Sequence, residues 1–213
     1  MKNKLIGFLV IGALTLSGCS IGASTEKQLS DTLSKMNDSE TEYRNTQSKM
    51  TEMELTEQKT FEETMELTKE DIDKLRSNVT ELEKLIDERL SQLEKEEASM
   101  KEAQGFIKEL DTISEKASES EKSEIGKLKA SIQKRYDLHR SFVDEYKKLA
   151  SIQKEFYSIL SKEDVKLEDL RQKVEEVNEQ NAIVKTAIVD FNEATKEVNS
   201  IKDDVFSSLE KAK

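Results

Sequence analysis

From residue 26 onward, apolar side chains return every three or four positions, and charged and polar side chains fill the positions between. Leu29, Leu33, Met36, Tyr43 and Met50 open the pattern. Ile72, Leu75, Val79, Leu82, Ile86 and Leu93 carry it on, followed by Met100, Ile107 and Leu110. A third stretch runs through Ile125, Leu128, Ile132, His139, Phe142, Tyr146, Leu149, Phe156 and Leu160, and a fourth from Leu167, Leu170 and Val174 to Val198 and Val205. Such a repeat puts one narrow apolar stripe on each helix and predicts left-handed, coiled-coil-like packing.

The interruptions are polar. Near Thr68 the heptad phase slips, and Thr68 to Asp71 form an acidic capping pattern. Ser118 to Ser123 hold no apolar residue and predict a turn. Ser161 to Asp164 offer a third cap. These breaks predict helices near 26–66, 69–117, 121–160 and 164–211, each about 60–75 Å long at about 1.5 Å per residue. Short links favour antiparallel neighbours, so the expected fold is all-α, an elongated up-down-up-down bundle of four long helices. A fibrous coiled coil between chains would cover the same stripes. Asn181 is expected at a buried position of the last helix, where a lone Asn fixes register. Acid-first pairs such as Glu97–Lys101 and Asp169–Lys173 are expected on the solvated faces.

Composition narrows the picture. The 213 residues include no Pro, no Trp and six Gly, three of them within the first 18 positions. So little turn punctuation excludes β-sandwiches, propellers and most α/β folds. One Cys and one His exclude disulfide frameworks, Cys/His zinc sites and Cys–His nucleophile pairs.

The first residues read as an address. Lys2 and Lys4 precede an uncharged apolar run from Leu5 to Leu16, and Leu16-Ser17-Gly18-Cys19 follows. The layout is that of a secretory signal peptide, and the run is too short to span a bilayer. The tetrapeptide resembles a bacterial lipobox, which implies a diacylglyceryl group on Cys19 and cleavage just before it. The expected organisation is a signal peptide at 1–18, a lipidated tether at 19–25 and a helical bundle at 26–213. Two acyl chains give stable anchoring, so the expected location is the outer face of a membrane. Loss of residues 1–18 removes Lys2 and Lys4 from the 34 basic side chains and none of the 45 acidic ones, moving the net charge from −11 to −13. That balance argues against nucleic acid as a partner.

Chemistry is sparse. His139 lies on the apolar stripe with Tyr136, Phe142 and Tyr146 near it. It has no partner motif for acid–base work and no Glu-x-x-His for a di-iron centre, so it is expected as a core or boundary residue. Neither catalytic residues nor a cofactor or metal site are expected. Residues 127–148 carry seven bases against three acids, whereas 81–102 carry eight acids against four bases. Lys134, Arg135, Arg140 and Lys147, interleaved with aromatics, form a candidate contact for an anionic polymer. Pairing of this basic helix with the acidic second one is the plainer alternative.

Several segments carry a family likeness. The lipobox, the acidic helical body, Arg135-Tyr136-Asp137 through Tyr146 to Lys154-Glu155-Phe156-Tyr157, and Lys162 to Leu170 leading to Val177-Asn178 resemble the YkyA-type cell-wall-binding lipoproteins of Gram-positive bacteria. The resemblance covers essentially the whole chain. It implies a membrane-anchored extracellular protein with a role in the envelope, and it carries over no functional residue except Cys19. The expected role is binding or structural, with wall polymer or another envelope protein as partner; the alternative is an extracellular adaptor or accessory subunit of a membrane protein complex. Replacing Cys19 by Ala should abolish lipid labelling and release the protein or leave it unprocessed; unchanged membrane association of the C19A protein would contradict the assignment.

Overall fold

The computed structural model describes residues 24–211 apart from 69 and 163. Cys19 and the rest of the address lie outside the described residues. Six helices follow one another: α1 (Thr25–Ser39), α2 (Thr41–Met65), α3 (Ile72–Gln104), α4 (Ile107–Glu115), α5 (Glu119–Leu160) and α6 (Leu167–Lys211). They form four rods, because α1 with α2 and α3 with α4 run nearly end to end. Cross-links trace an up-down-up-down course. Thr32 and Lys35 meet Glu109, Gln47 meets Glu96 and Thr64 meets Asn78. Lys129 meets Asp111 and Lys154 meets Asp87. Lys134 meets Glu197 and Lys173 meets Glu155. In space α2 lies on α3, α3 on α5 and α5 on α6, and α1 reaches α3, α4 and α6. The four stripes thus pack against one another within one chain.

Two breaks were not expected. Between α1 and α2 the backbone leaves the helix at Glu40 (φ −80°, ψ 9°). The Ser39 carbonyl accepts from Ser99 Oγ on α3 at 2.6 Å, and the Glu40 side chain turns inward. Between α3 and α4 the turn tightens at Gly105, whose N–H reaches the Lys101 and Glu102 carbonyls at 3.2 and 3.0 Å. A Cβ there would sit 3.0 Å from the Glu102 carbonyl oxygen, closer than side chains ordinarily tolerate.

The expected links survive with shifted bounds. Ser118 caps α5: its hydroxyl accepts from the Glu121 N–H, and the Glu121 carboxylate accepts from the Ser118 N–H at 2.7 Å. The polar run predicted as a turn is therefore largely the first turn of the helix. Asp71 folds back onto Thr68, accepting from its N–H at 2.9 Å and its hydroxyl at 2.8 Å, which holds the Asp71 carboxyl below the usual carboxylate range.

Two apolar clusters fill the rod. The larger centres on Leu29, Leu93, Leu110, Leu128, Val143 and Phe191. The smaller holds Val79, Leu82, Ile86, Phe156 and Tyr157 at the end of the α2–α3 hairpin. Leu167 and Val174, expected on the stripe of the last helix, are exposed; the packed line there passes through Leu170 and Val177.

Asn181 is also exposed, and Gln180 is buried in its stead, its amide donating to the Glu145 carbonyl at 3.0 Å and carboxylate at 2.8 Å. Both positions lie one turn before buried Val184. The seam through Val177, Val184 and Phe191 is flanked here by the line of Gln180, Ala187 and Ala194, and the line of 181 turns inward only a heptad later, at Ile188.

Candidate functional site

The basic run of α5 does not form one stripe. Lys134 leans to α6, with Nζ 2.7 Å from Glu197 Oε2. Lys147 leans the other way to α3, 2.7 Å from Glu97 Oε2. Arg140 pairs with Asp137 on its own helix. These three side chains remain half exposed, and such pairs contribute about 0–1 kcal/mol each. Arg135 departs from expectation altogether. Its guanidinium lies inside the rod, and the aromatics expected beside a docking stripe, Tyr136, Phe142 and Tyr146, are core residues. The acid-first pairs are likewise redirected, Glu97 to Lys147 and Lys173 to Glu155 and Glu176.

Charged and polar side chains do gather within the rod, in three layers. In the first, Arg135 donates to both Glu40 oxygens (Nη1–Oε1 2.6 Å, Nη2–Oε2 2.8 Å), Tyr136 donates to Glu40 Oε1 at 2.6 Å, and Arg135 Nε donates to Thr195 Oγ1 of α6 at 3.0 Å. The guanidinium also stacks on the Tyr136 and Phe191 rings, 5.3 and 5.1 Å from their centroids. Glu40 is first among the attractions that outweigh burial and hold Arg135 protonated.

The second layer joins Glu96 to His139, 1 % and 2 % exposed, with Oε1 and Nε2 2.8 Å apart. Gln47 Nε2 and Thr46 Oγ1 donate to the other Glu96 oxygen at 2.7 and 3.3 Å. The rings of Tyr43, Phe142 and Phe191 enclose the imidazole.

In the third layer Arg89 donates to Tyr146 Oη at 2.7 Å and Gln153 Oε1 at 3.0 Å, and its Nη2 lies 2.6 Å from Glu57 Oε2. Tyr146 donates to Glu54 at 2.8 Å and Tyr157 donates to Glu57 at 2.7 Å. Burial raises the Glu57 carboxyl above the usual range, outweighing Arg89 and the Tyr157 bond. Burial raises the Tyr136, Tyr146 and Tyr157 phenols as well, so they act as donors throughout the physiological range.

Chemically these layers hold the rods in register. His139 has a carboxylate partner, yet the pair is walled in by aromatic rings, and the Thr46 hydroxyl beside it is bonded to Glu96 and to the Tyr43 carbonyl, not to the imidazole. Among the described residues, no group of acidic, His or Cys side chains is arranged to hold a metal, and no helix is long and apolar enough to cross a membrane.

The apolar pattern alone passes over these layers, though it holds their trace. Ile86, Leu93 and Met100 are seven apart, and the gaps between them fall at Arg89 and Glu96. The line Leu29, Met36, Tyr43, Met50 continues by sevens to Glu57 and Thr64. A polar residue on a heptad line is a signal of a buried layer.

Replacing Glu40 by Ala leaves Arg135 buried without a counter-charge and should cost about 3–5 kcal/mol in urea unfolding, whereas Asp137→Ala, which breaks an exposed pair, should cost about 1 kcal/mol or less.

Comparison with known proteins matches residues 24–208 to the model of the YkyA family, described as "Putative cell-wall binding lipoprotein". The uncharacterized lipoprotein YkyA of Bacillus subtilis strain 168 is 27% identical over 204 residues, covering 95% of this chain and 91% of its own length. The fold matches the crystal structure of a conserved protein of unknown function from Staphylococcus aureus, with a TM-score of 0.75 and 22% identity over 88% of this chain and 98% of that one.

Proposed function

We infer that this chain, which belongs to the YkyA family of lipoproteins, is tied by an acylated Cys19 to the outer face of a bacterial membrane and uses its rod to bind polymer of the cell wall. The observation that carries this reading is the extent of the family match. It takes in the whole rod from residue 24 to 208, so the family's description concerns the bundle and not one segment of it.

The geometry supports the same reading. Cys19 lies five residues before Ser24, whose hydroxyl accepts from the Lys27 N–H and starts α1. An anchor there sets one end of the rod at the bilayer, together with the start of α5 and the end of α6. The opposite end, where α2 meets α3 and α5 meets α6, is carried outward by the 45 residues of α6, about 68 Å at about 1.5 Å per residue. A rod of that reach suits a protein that bridges membrane and wall. Lys134, Arg140 and Lys147 remain the candidate contacts on its surface, each with a carboxylate beside it.

A second reading is an adaptor that holds another envelope protein. Leu167 and Val174 favour it, because they stand exposed a heptad apart on one line of α6.

Purified lipid-free protein should sediment with purified wall sacculi and lose that behaviour when the wall's anionic polymers are stripped. A protein that stays in the supernatant, while a stoichiometric protein partner co-purifies from detergent-solubilised membranes, would replace wall binding with the adaptor.

A further inference from the structure

α2 is held unlike the other long helices. Met50 is its one fully buried apolar side chain; its other buried positions are Thr46, Glu57 and Thr64. Neighbouring α3 buries Val79, Leu82, Leu85, Ile86, Leu93 and Met100. Beside Met50 and the Tyr43 and Phe61 rings, which pack on the two clusters, what joins α2 to the body is polar: Glu40 at its head, Thr46 and Gln47 onto Glu96, Glu54 onto Tyr146, Glu57 onto Arg89 and Tyr157, and Thr64 onto Asn78. Bonds of this kind, worth about 1.5–3 kcal/mol net where one partner is charged, can be exchanged for water or for another anion, whereas a buried apolar side chain has no such substitute.

The same seam is incompletely satisfied. Glu57 Oε2, Arg89 Nε and Gln92 Oε1 are buried without a hydrogen bond. Glu57 Oε2 lies close to Arg89 as a charge contact, but not in hydrogen-bonding geometry. Gln92 stands one turn from both Arg89 and Glu96 on α3. Opening the seam would give all three groups water. The Glu57 carboxyl adds to this: burial raises it, so keeping it ionised at neutral pH costs the closed state free energy. The far end of α2 runs into a non-helical link from Leu67, whereas its head is held by Ser99, which accepts from the Tyr43 N–H at 3.2 Å, and by Glu40.

We propose that α2 is a releasable acidic strap: Glu40, Glu54 and Glu57 occupy an arginine–tyrosine groove on α3 and α5 that a polyanion takes when the strap lifts. The groove is already shaped for anions. Arg135 makes a two-bonded fork to a carboxylate, Arg89 directs its guanidinium to another, and the hydroxyls of Tyr136, Tyr146 and Tyr157 all donate to α2 carboxylates. Arginine forks take phosphate and carboxylate oxygens with the same geometry. α2 is thereby an internal occupant of the site, and an external chain of repeated phosphates or carboxylates competes with it. In naming a polyanion the proposal rests on the wall-polymer reading above; the lifting of the strap does not.

Hydrogen exchange of the full protein in detergent, alone and with inorganic polyphosphate or polyglutamate, tests both parts. Residues 41–65 should exchange about tenfold faster than α3 and α5, as a separate opening unit. Whichever polyanion is the right chemistry should speed that exchange further. The Glu54→Gln, Glu57→Gln double variant should raise α2 exchange and tighten binding of that polyanion by about tenfold each. If this variant does not fold, Glu54→Gln alone, which removes one strap charge and leaves the groove donors in place, provides the same comparison. Exchange of α2 in step with α3 and α5 would overturn the strap. Neither polyanion binding, in a protein that still sediments with wall, would overturn the groove and leave wall binding standing.

Discussion

The rod depends on charged side chains seated in heptad lines and met by partners on facing rods. An apolar seam alone is tolerant of sliding, because one leucine contact resembles the next a heptad along. A buried guanidinium or carboxylate is not, since leaving it unpaired costs several kcal/mol. Glu40 with Arg135, Glu96 with His139, and Glu57 with Arg89 each link a different pair of rods. Glu40 and Glu57 are both placed by the first rod, Arg89 and Glu96 by the second, Arg135 and His139 by the third. With three rods tied in this closed set, a shift of any one by a heptad would strand charges in at least two layers.

The helix break at Glu40 follows from the same constraint. A continuous helix from 25 to 65 would carry residue 40 along its own spiral. The local departure from helical backbone at Glu40 accompanies its carboxylate reaching Arg135 and Tyr136 together, with Ser99 taking the Ser39 carbonyl left without its usual partner. Thr195 extends this layer to α6 through Arg135 Nε. α6 otherwise joins the body mainly by its apolar face on α5, which fits the apolar Val177, Val184 and Phe191 line running along it.

Much of this architecture was legible in the residue pattern. The four rods, their antiparallel course and the interruptions near Thr68, Ser118 and Ser161 follow from apolar spacing and from short polar breaks. The interior was less legible, because reading apolar residues alone passes over the positions that carry the charge. Arg89 and Glu96 stand on the heptad line of Leu82 and Ala103, and Glu57 on that of Met50, and they look like solvated charges until the line is extended. Arg135 was misplaced for a related reason. Its neighbours Lys134 and Arg140 do face outward, but Leu128, Arg135 and Phe142 are seven apart, so Arg135 follows the core line. Asn181 and Gln180 could not be separated by spacing, since both lie one turn from Val184. The break at Gly105 left only a lone glycine as its mark.

Register is the property that a rod of long helices most needs to keep. The direct test is the distance distribution between spin labels on exposed Thr56 of α2 and Ser151 of α5, measured by pulsed electron resonance. It should be read in the native protein and in a variant whose three charged layers are replaced by apolar residues of similar size. The account predicts one narrow distance in the native protein and a broadened or multiple distribution in the apolar variant, even where that variant is the more stable to urea. A single narrow distance, unchanged between the two, would show that the apolar seams set the register by themselves and would contradict it.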